Sequence, residues 1–494
     1  MNTLKRRVAM QAAAVPPAAR LPNPACVPGA GHRCEHALVA PTLNGRLYAY
    51  ERLVRGRFEA IVPVLQSLSA MQHETDFAAR AQQIAQAQLG FALPELLLDH
   101  AWVAGLDLRQ LYTHCVFRTF KLCVDRVEAD QQPWREHQAI DADFLAQCGL
   151  HTVDISPCAD GRLQGLLPFV LRMTPHPGVT VKAYAGALFD VEGDVADWTR
   201  RELERLCGAL PGAEDAGYLK IAVYHFSSSN PSHQGCAAHG SDDDRARQAA
   251  AHRLAELRAA VDNTFGTGAA PQVLLIGVDT DTDAIRVHAS AGDTQAEPGA
   301  FIDSAQIFRD TLAMGADDAR EAIAVAVARA ERGAGLHHGA RKLVQQLLEA
   351  NLSQIEYVIR HHDGRYADIG HAERFICAGE AMSELQLRNQ FYFAHLETVE
   401  EGAPDLDVGM RIFGELNVAR SLPVPVLVHF HYEAQVPGAR ERAVARCRRV
   451  KAAIESRYQA LHVQGLLHCQ MAVSDTHGSE RGTFIDAPAR PAGH

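Results

Sequence analysis

The chain has 494 residues, of which 47% are hydrophobic and 22% charged, and its formal net charge is −11. That length is more than one core holds and points to about three units, while the acidic balance argues against nucleic acid as a partner, since neutralising phosphates takes clustered Lys and Arg. No apolar run approaches the roughly 20 residues that cross a bilayer, and the opening LKRRVAMQAAAV is too short and too weakly apolar for a secretory core. The expectation is a cytoplasmic protein with no membrane partner.

Residues 1–50 stand apart. Lys5, Arg6, Arg7, Arg20, Arg33 and Arg46 face only Glu35, and Pro16, Pro17, Pro22, Pro24, Pro28 and Pro41 interrupt any helix. Such a segment buries too little apolar surface to offset its ordering entropy, so it reads as a disordered basic tail suited to an acidic partner surface. From 51 to 145 the pattern is helical. Thr75 is placed to cap FAARAQQIAQAQLG, which stops at Gly90, and a longer helix follows Asp107 with Val116, Phe120 and Cys123 on one stripe. Cys123, Cys115 and His114 therefore belong to a core.

Over 146–365 short apolar runs alternate with helices. TVDISP, VTVKAYAGALFDV, YLKIAVYHF and QVLLIGV read as strands, and RARQAAAHRLAELRAAV as the helix between the last two. Residues 316–358 read as mostly helical. This alternation predicts an α/β sheet covered by helices, with functional groups at strand ends. The remainder, 366–494, resembles the preceding unit. VLVHF sets His429 against His225, and FICAGEAM sets Cys377 against Cys158, but Gly379 and Ala381 stand where Asp160 and Arg162 are, and the loop carrying Cys236 has no counterpart. It reads as a degenerate copy that keeps the fold and loses the site. The fold class is thus α/β, with a helical N-terminal domain followed by two tandem α/β domains.

The chemistry concentrates in DISPCADGR and AVYHFSSSNPSHQGCAAHGSDD. Cys158, Asp160 and Arg162 occupy alternate positions, which share a face if the strand end is extended. His225 ends an apolar strand and Cys236 follows in a polar loop. Two thiolates and an imidazole are three ligands of a tetrahedral zinc, leaving the open position a catalytic site needs. His233 is the rival imidazole; His225 is preferred because a strand end holds it rigidly, and His233 and His239 then read as exposed loop histidines. Arg162 would keep the Asp160 carboxylate ionised and aimed, away from the metal. DTDTD at 279–283 lacks the Gly and Glu of a calcium loop and reads as a hairpin turn. Eleven cysteines at irregular spacings do not form a disulfide framework.

Cys-x-Asp-x-Arg followed by a strand-ending His and then a Cys resembles the β-class carbonic anhydrases. The long interval from His225 to Cys236, GCAAHGSDD, the helical N-terminal domain and the degenerate second copy resemble the carboxysomal members of that class. The resemblance implies one zinc per chain on Cys158, His225 and Cys236, an Asp160–Arg162 catalytic dyad, and interconversion of CO2 and bicarbonate. It further implies a homodimer inside the carboxysome and a tail that tethers the enzyme to Rubisco or the shell. A zinc deaminase would need a Glu beside the histidine and a P-C-x-x-C element, and the chain has neither. The alternative is a non-catalytic carboxysome scaffold with a structural zinc.

Overall fold

The computed structural model describes residues 36–485 apart from 40, 100, 130–138, 211–214, 289–300, 331–335, 337, 368–369, 383–385 and 479. Most of the basic tail lies outside the described residues. Its last part is helical, contrary to the sequence reading: the first helix runs Pro41–Glu59. The first N–H groups of a helix have no intrahelical acceptor, so Pro41 at its first position starts the helix and does not break it. This region is tied to the unit downstream. His36 N donates to Glu356 Oε2 at 3.2 Å, and Asn44 Nδ2 donates to the Ser353 carbonyl at 3.0 Å.

The next helices are Ile61–Met71, Phe77–Gln88 and Leu108–Ala129. Asp76 and not Thr75 precedes the Phe77 helix, with no side-chain cap, and the turn beyond it uses Gly90 at φ +87°. Asp107 does cap the long helix, its Oδ1 accepting from Arg109 N and Gln110 N. Val116, Phe120, Cys123 and Cys115 are buried as their spacing predicts. Their partner is far away in sequence: the Phe120 and Phe375 rings lie 4.9 Å apart. The helices therefore share one core with the second sheet. A parallel sheet must be covered on both faces, and this helix provides part of that cover.

The first sheet has the order β2-β1-β3-β4-β5-β6, built from Leu150–Pro157 (β1), Val179–Val181 (β2), Gly217–Phe226 (β3), Gln272–Asp279 (β4), Ile285–His288 (β5) and Ile302–Asp303 (β6). β1 to β4 are parallel and β5 and β6 run antiparallel. The expected strand over 179–191 ends early, because Gly186 at φ +68° turns the chain into a short 3-10 segment, Ala185–Ala187. The predicted helix between β3 and β4 spans Asp243–Phe265 and starts on Asp242, whose side chain accepts from Arg245 N. The 279–283 segment does turn a hairpin between β4 and β5, and it is buried throughout. The helices of 316–358 are Ala316–Ala330 and His338–His361.

The second sheet has the order β11-β10-β9-β7-β8, from Phe375–Gly379 (β7), Phe391–His395 (β8), Val424–Tyr432 (β9), Leu467–Asp475 (β10) and Thr483–Ile485 (β11). Only β11 is antiparallel. The β8 strand also reaches the first unit: Phe393 N donates to the Ala159 carbonyl at 3.1 Å and His395 N to the Ala183 carbonyl at 3.0 Å. The edge of the second sheet is thus stitched onto the chain segments that follow β1 and β2.

Candidate metal centre and active site

β3, flanked by β1 and β4, is buried on both faces, which explains its near-continuous apolar run. Two of its polar residues receive opposite treatment. Lys220, fully buried, donates to Asp154 Oδ2 at 2.7 Å and Ser156 Oγ at 2.8 Å and pairs with Asp194, as a buried charge must. His225 is equally buried, yet no hydrogen bond reaches Nδ1 among the described residues, and Nε2 has only the Asp160 carboxylate within ion-pair distance. Buried polar groups without partners are rare, so this one calls for something to bind.

Beside it are Cys158, one residue beyond β1, and Cys236, in the loop after β3. The ligand atoms of Cys158, His225 and Cys236 all lie within 4.8 Å of one another, and all three residues are buried. The two sulfurs are 3.7 Å apart. The contact between the sulfurs, and then burial, pushes the Cys158 thiol well above its usual range, while the same contact draws Cys236 below it. His233, the rival imidazole, is exposed in a short Pro231–Gln234 helix. His239 is buried, contrary to the loop reading, with Nε2 3.2 Å from the Gly186 carbonyl.

Asp160 and Arg162 do meet at this site, though not as alternate residues of an extended strand. β1 ends at Pro157 and the chain bends into a 3-10 turn, Gly161–Leu163, capped by Asp160, whose Oδ1 accepts from Arg162 N at 2.9 Å. A short carboxylate bonding its own backbone two residues on favours a turn over a strand. The turn folds the guanidinium back, so that Arg162 Nε reaches Oδ1 at 2.9 Å and an NH2 nitrogen reaches Oδ2 at 2.8 Å. The other guanidinium donors go to the Gln234 carbonyl at 2.7 Å and Thr280 Oγ1 at 3.3 Å. Burial would raise the Asp160 pKa, but the adjoining guanidinium outweighs it and holds the carboxyl well below the usual range. Its Oδ2 lies 3.3 Å from His225 Nε2.

Sequence reasoning missed the residues that close the site from the other side. His371 Nε2 stands 3.9 Å from Asp160 Oδ2, and its Nδ1 is 3.0 Å from Glu373 Oε1, which also accepts from Gly161 N at 3.1 Å. Burial would lower the His371 pKa, yet Asp160 and Glu373 together raise it to about 9. Asp160, His371 and Glu373 form a second cluster with donor atoms close enough to hold a cation, but the imidazole here is already paired with carboxylates. A narrow crevice opens between the two units, with Cys158, Asp160 and His371 as its polar lining and Tyr392, Val408 and Ile412 as an apolar wall. The wall residues come from β8 and the Val399–Leu416 helix of the second unit. The only local signal was His371 and Glu373 at alternate positions just ahead of β7.

The Carboxysome Shell Carbonic Anhydrase families match the chain in three parts: the N-terminal one at residues 36–128, the catalytic domain at 140–371 and the C-terminal one at 372–488. A carboxysome shell carbonic anhydrase of Parasynechococcus marenigrum (strain WH8102) is 46% identical over 463 residues, covering 92% of this chain and 80% of that protein. The chain belongs to the carboxysome shell carbonic anhydrases. Its relative in Halothiobacillus neapolitanus (strain ATCC 23641 / c2) is 42% identical over 462 residues, covering 91% of this chain and 90% of its own length. The protein is accordingly a carbonic anhydrase that works in the carboxysome, and its α/β architecture with a helical N-terminal region is as the sequence predicts. No described helix is long and apolar enough to cross a membrane.

Proposed function

We propose that Cys158, His225 and Cys236 bind one zinc ion per chain, and that Asp160 and Arg162 act beside it in the interconversion of CO2 and bicarbonate. The observation that carries this reading is the buried His225, whose ring nitrogens make no hydrogen bond among the described residues, set within 4.8 Å of two buried cysteine sulfurs. Two thiolates and one imidazole suit zinc and leave a fourth position free. Zinc held there supplies Lewis acidity that brings the pKa of water down toward neutrality. Because two thiolates donate more charge than two imidazoles, activity is expected to favour alkaline pH.

The remaining work falls to this chain's own groups. Arg162 keeps Asp160 ionised and fixes both its oxygens, so Oδ2 faces the pocket as a hydrogen-bond acceptor for the attacking water and does not swing onto the metal. His371, protonated at neutral pH, offers Nε2 as a donor to bicarbonate and as a group that passes a proton outward. The apolar wall of Tyr392, Val408 and Ile412 suits CO2, which carries no charge to solvate. In a bicarbonate-rich compartment the reaction would run toward CO2 and supply Rubisco.

Zinc content and stopped-flow CO2 hydration in one purified sample test this. Zinc near one per chain with fast, chelator-sensitive hydration supports it; zinc without hydration would favour the scaffold with a structural metal. The homodimer rests on the family resemblance, and docking of the tail on Rubisco or the shell rests on that and on the basic charge of residues 1–35, which lie outside the described residues. Light scattering of the full chain tests the first, and loss of Rubisco binding on deleting residues 1–35 tests the second.

A further inference from the structure

The second unit reaches the metal centre by a route other than the pocket wall. Asp405, half-buried on the Val399–Leu416 helix, accepts a 2.8 Å hydrogen bond from Ala185 N through Oδ1. Ala185 opens the 3-10 segment whose next residue, Gly186, points its N–H at Cys158 Sγ at 3.3 Å. The Gly186 carbonyl accepts from His239 Nε2 at 3.2 Å, so that nitrogen carries the proton, and His239 N in turn bonds the Cys236 carbonyl at 3.0 Å. One short segment thus touches the arms of both cysteines. The fit is tight: a Cβ on Gly186 would lie 2.5 Å from His239 Nε2.

We infer that Asp405 is a positioning residue for the metal site: by anchoring Ala185, with His239 as the opposite anchor, it keeps the Gly186 N–H aimed at the Cys158 sulfur. An N–H···S bond draws negative charge from a thiolate and fixes its direction, and outer partners of this kind typically change metal affinity by about 10–100-fold. The degenerate copy therefore tunes the ligand set of the intact one. This rests on the zinc reading above.

The test uses full-length protein loaded with Co(II), whose sulfur-to-cobalt charge-transfer absorption reports the thiolate directly, with Co(II) and Zn(II) affinities measured by chelator competition. Asp405→Ala should shift that absorption and weaken binding about 10-fold. Asp405→Asn, which keeps an oxygen acceptor and removes the charge, should leave both near wild type, and His239→Ala should reproduce the shift from the other anchor. Unmoved absorption and affinity in Asp405→Ala would overturn the inference, as would an Asn variant as perturbed as the Ala one. If Asp405→Ala does not fold, His239→Ala decides alone: an unshifted band overturns it. A wild-type chain that takes up neither metal would instead overturn the zinc reading itself.

Discussion

Two buried histidines near the ends of central strands, His225 in β3 and His429 in β9, show how one fold can carry a site and lack it. Around His225 the neighbours are two sulfurs and the Asp160 carboxylate, and neither ring nitrogen makes a hydrogen bond among the described residues. Around His429 the neighbours are protein acceptors and donors: Nδ1 lies 2.9 Å from the Glu380 carbonyl and Nε2 2.8 Å from Ser474 Oγ. Burial pushes the His429 pKa down to about 4, so it stays neutral in a closed network. Register separates them further. Extending the β1–β3 pairing past Pro157 and Val223 puts Cys158 one row before His225, whereas Cys377 pairs with Leu427, two rows before His429. If the two histidines are laid over each other, Ala378 stands in the place of Cys158, and a one-residue slip turns a side chain to the opposite face. Setting Cys377 against Cys158, as the sequence suggests, therefore fails in three dimensions.

Breaking the contrast at its strongest point means removing a ligand. Cys158→Ala or His225→Ala should lose stoichiometric zinc and cut CO2 hydration at least about 10³-fold, since the Lewis acid is worth several kcal/mol; metal analysis and stopped flow check both. His429→Ala should leave zinc and turnover alone and lower stability by about 1–3 kcal/mol for the unpaired groups it leaves, read from a denaturation midpoint. A His429 variant that loses zinc would end the distinction.

A smaller effect is expected within the intact site. Asp160→Ala and Arg162→Ala should retain zinc and lose turnover by about 10²–10⁴-fold, the range of a positioned acid–base group. Zinc loss in either variant would make the pair structural. His371→Ala should reduce turnover by about 10²-fold with metal intact, and added imidazole should restore part of it, because a mobile base replaces a proton-passing group but not a packing one.

The mildest expected effect is on stability against pH. The His371 pKa rises from 6.5 to about 9 on folding. A raised pKa contributes stability that is complete below 6.5 and is lost as pH climbs through about 9. The denaturation midpoint should fall across that window, and His371→Gln should flatten the fall.

What the sequence by itself determined is what short-range pattern encodes. Apolar runs bounded by turn residues located β1, β3, β4 and β9; the 3.6-residue stripe located Val116, Phe120 and Cys123 in a core; and Cys158, His225 and Cys236 were identifiable as a candidate ligand set because their residue types are unusual company at two strand ends and the loop that follows. Even there the local geometry was misread, since the Asp160 side chain bonds its own backbone and bends the chain before Arg162. Only the tertiary structure decided what lies across from them. His371, Glu373, Tyr392 and Asp405 reach the site through packing between two units more than 200 residues apart in the chain, as does the pairing of the N-terminal helices with the second sheet. Ligand chemistry and hydrophobic period are local properties of a chain, whereas which sheet edge docks on which strand end depends on long-range burial that no local pattern records.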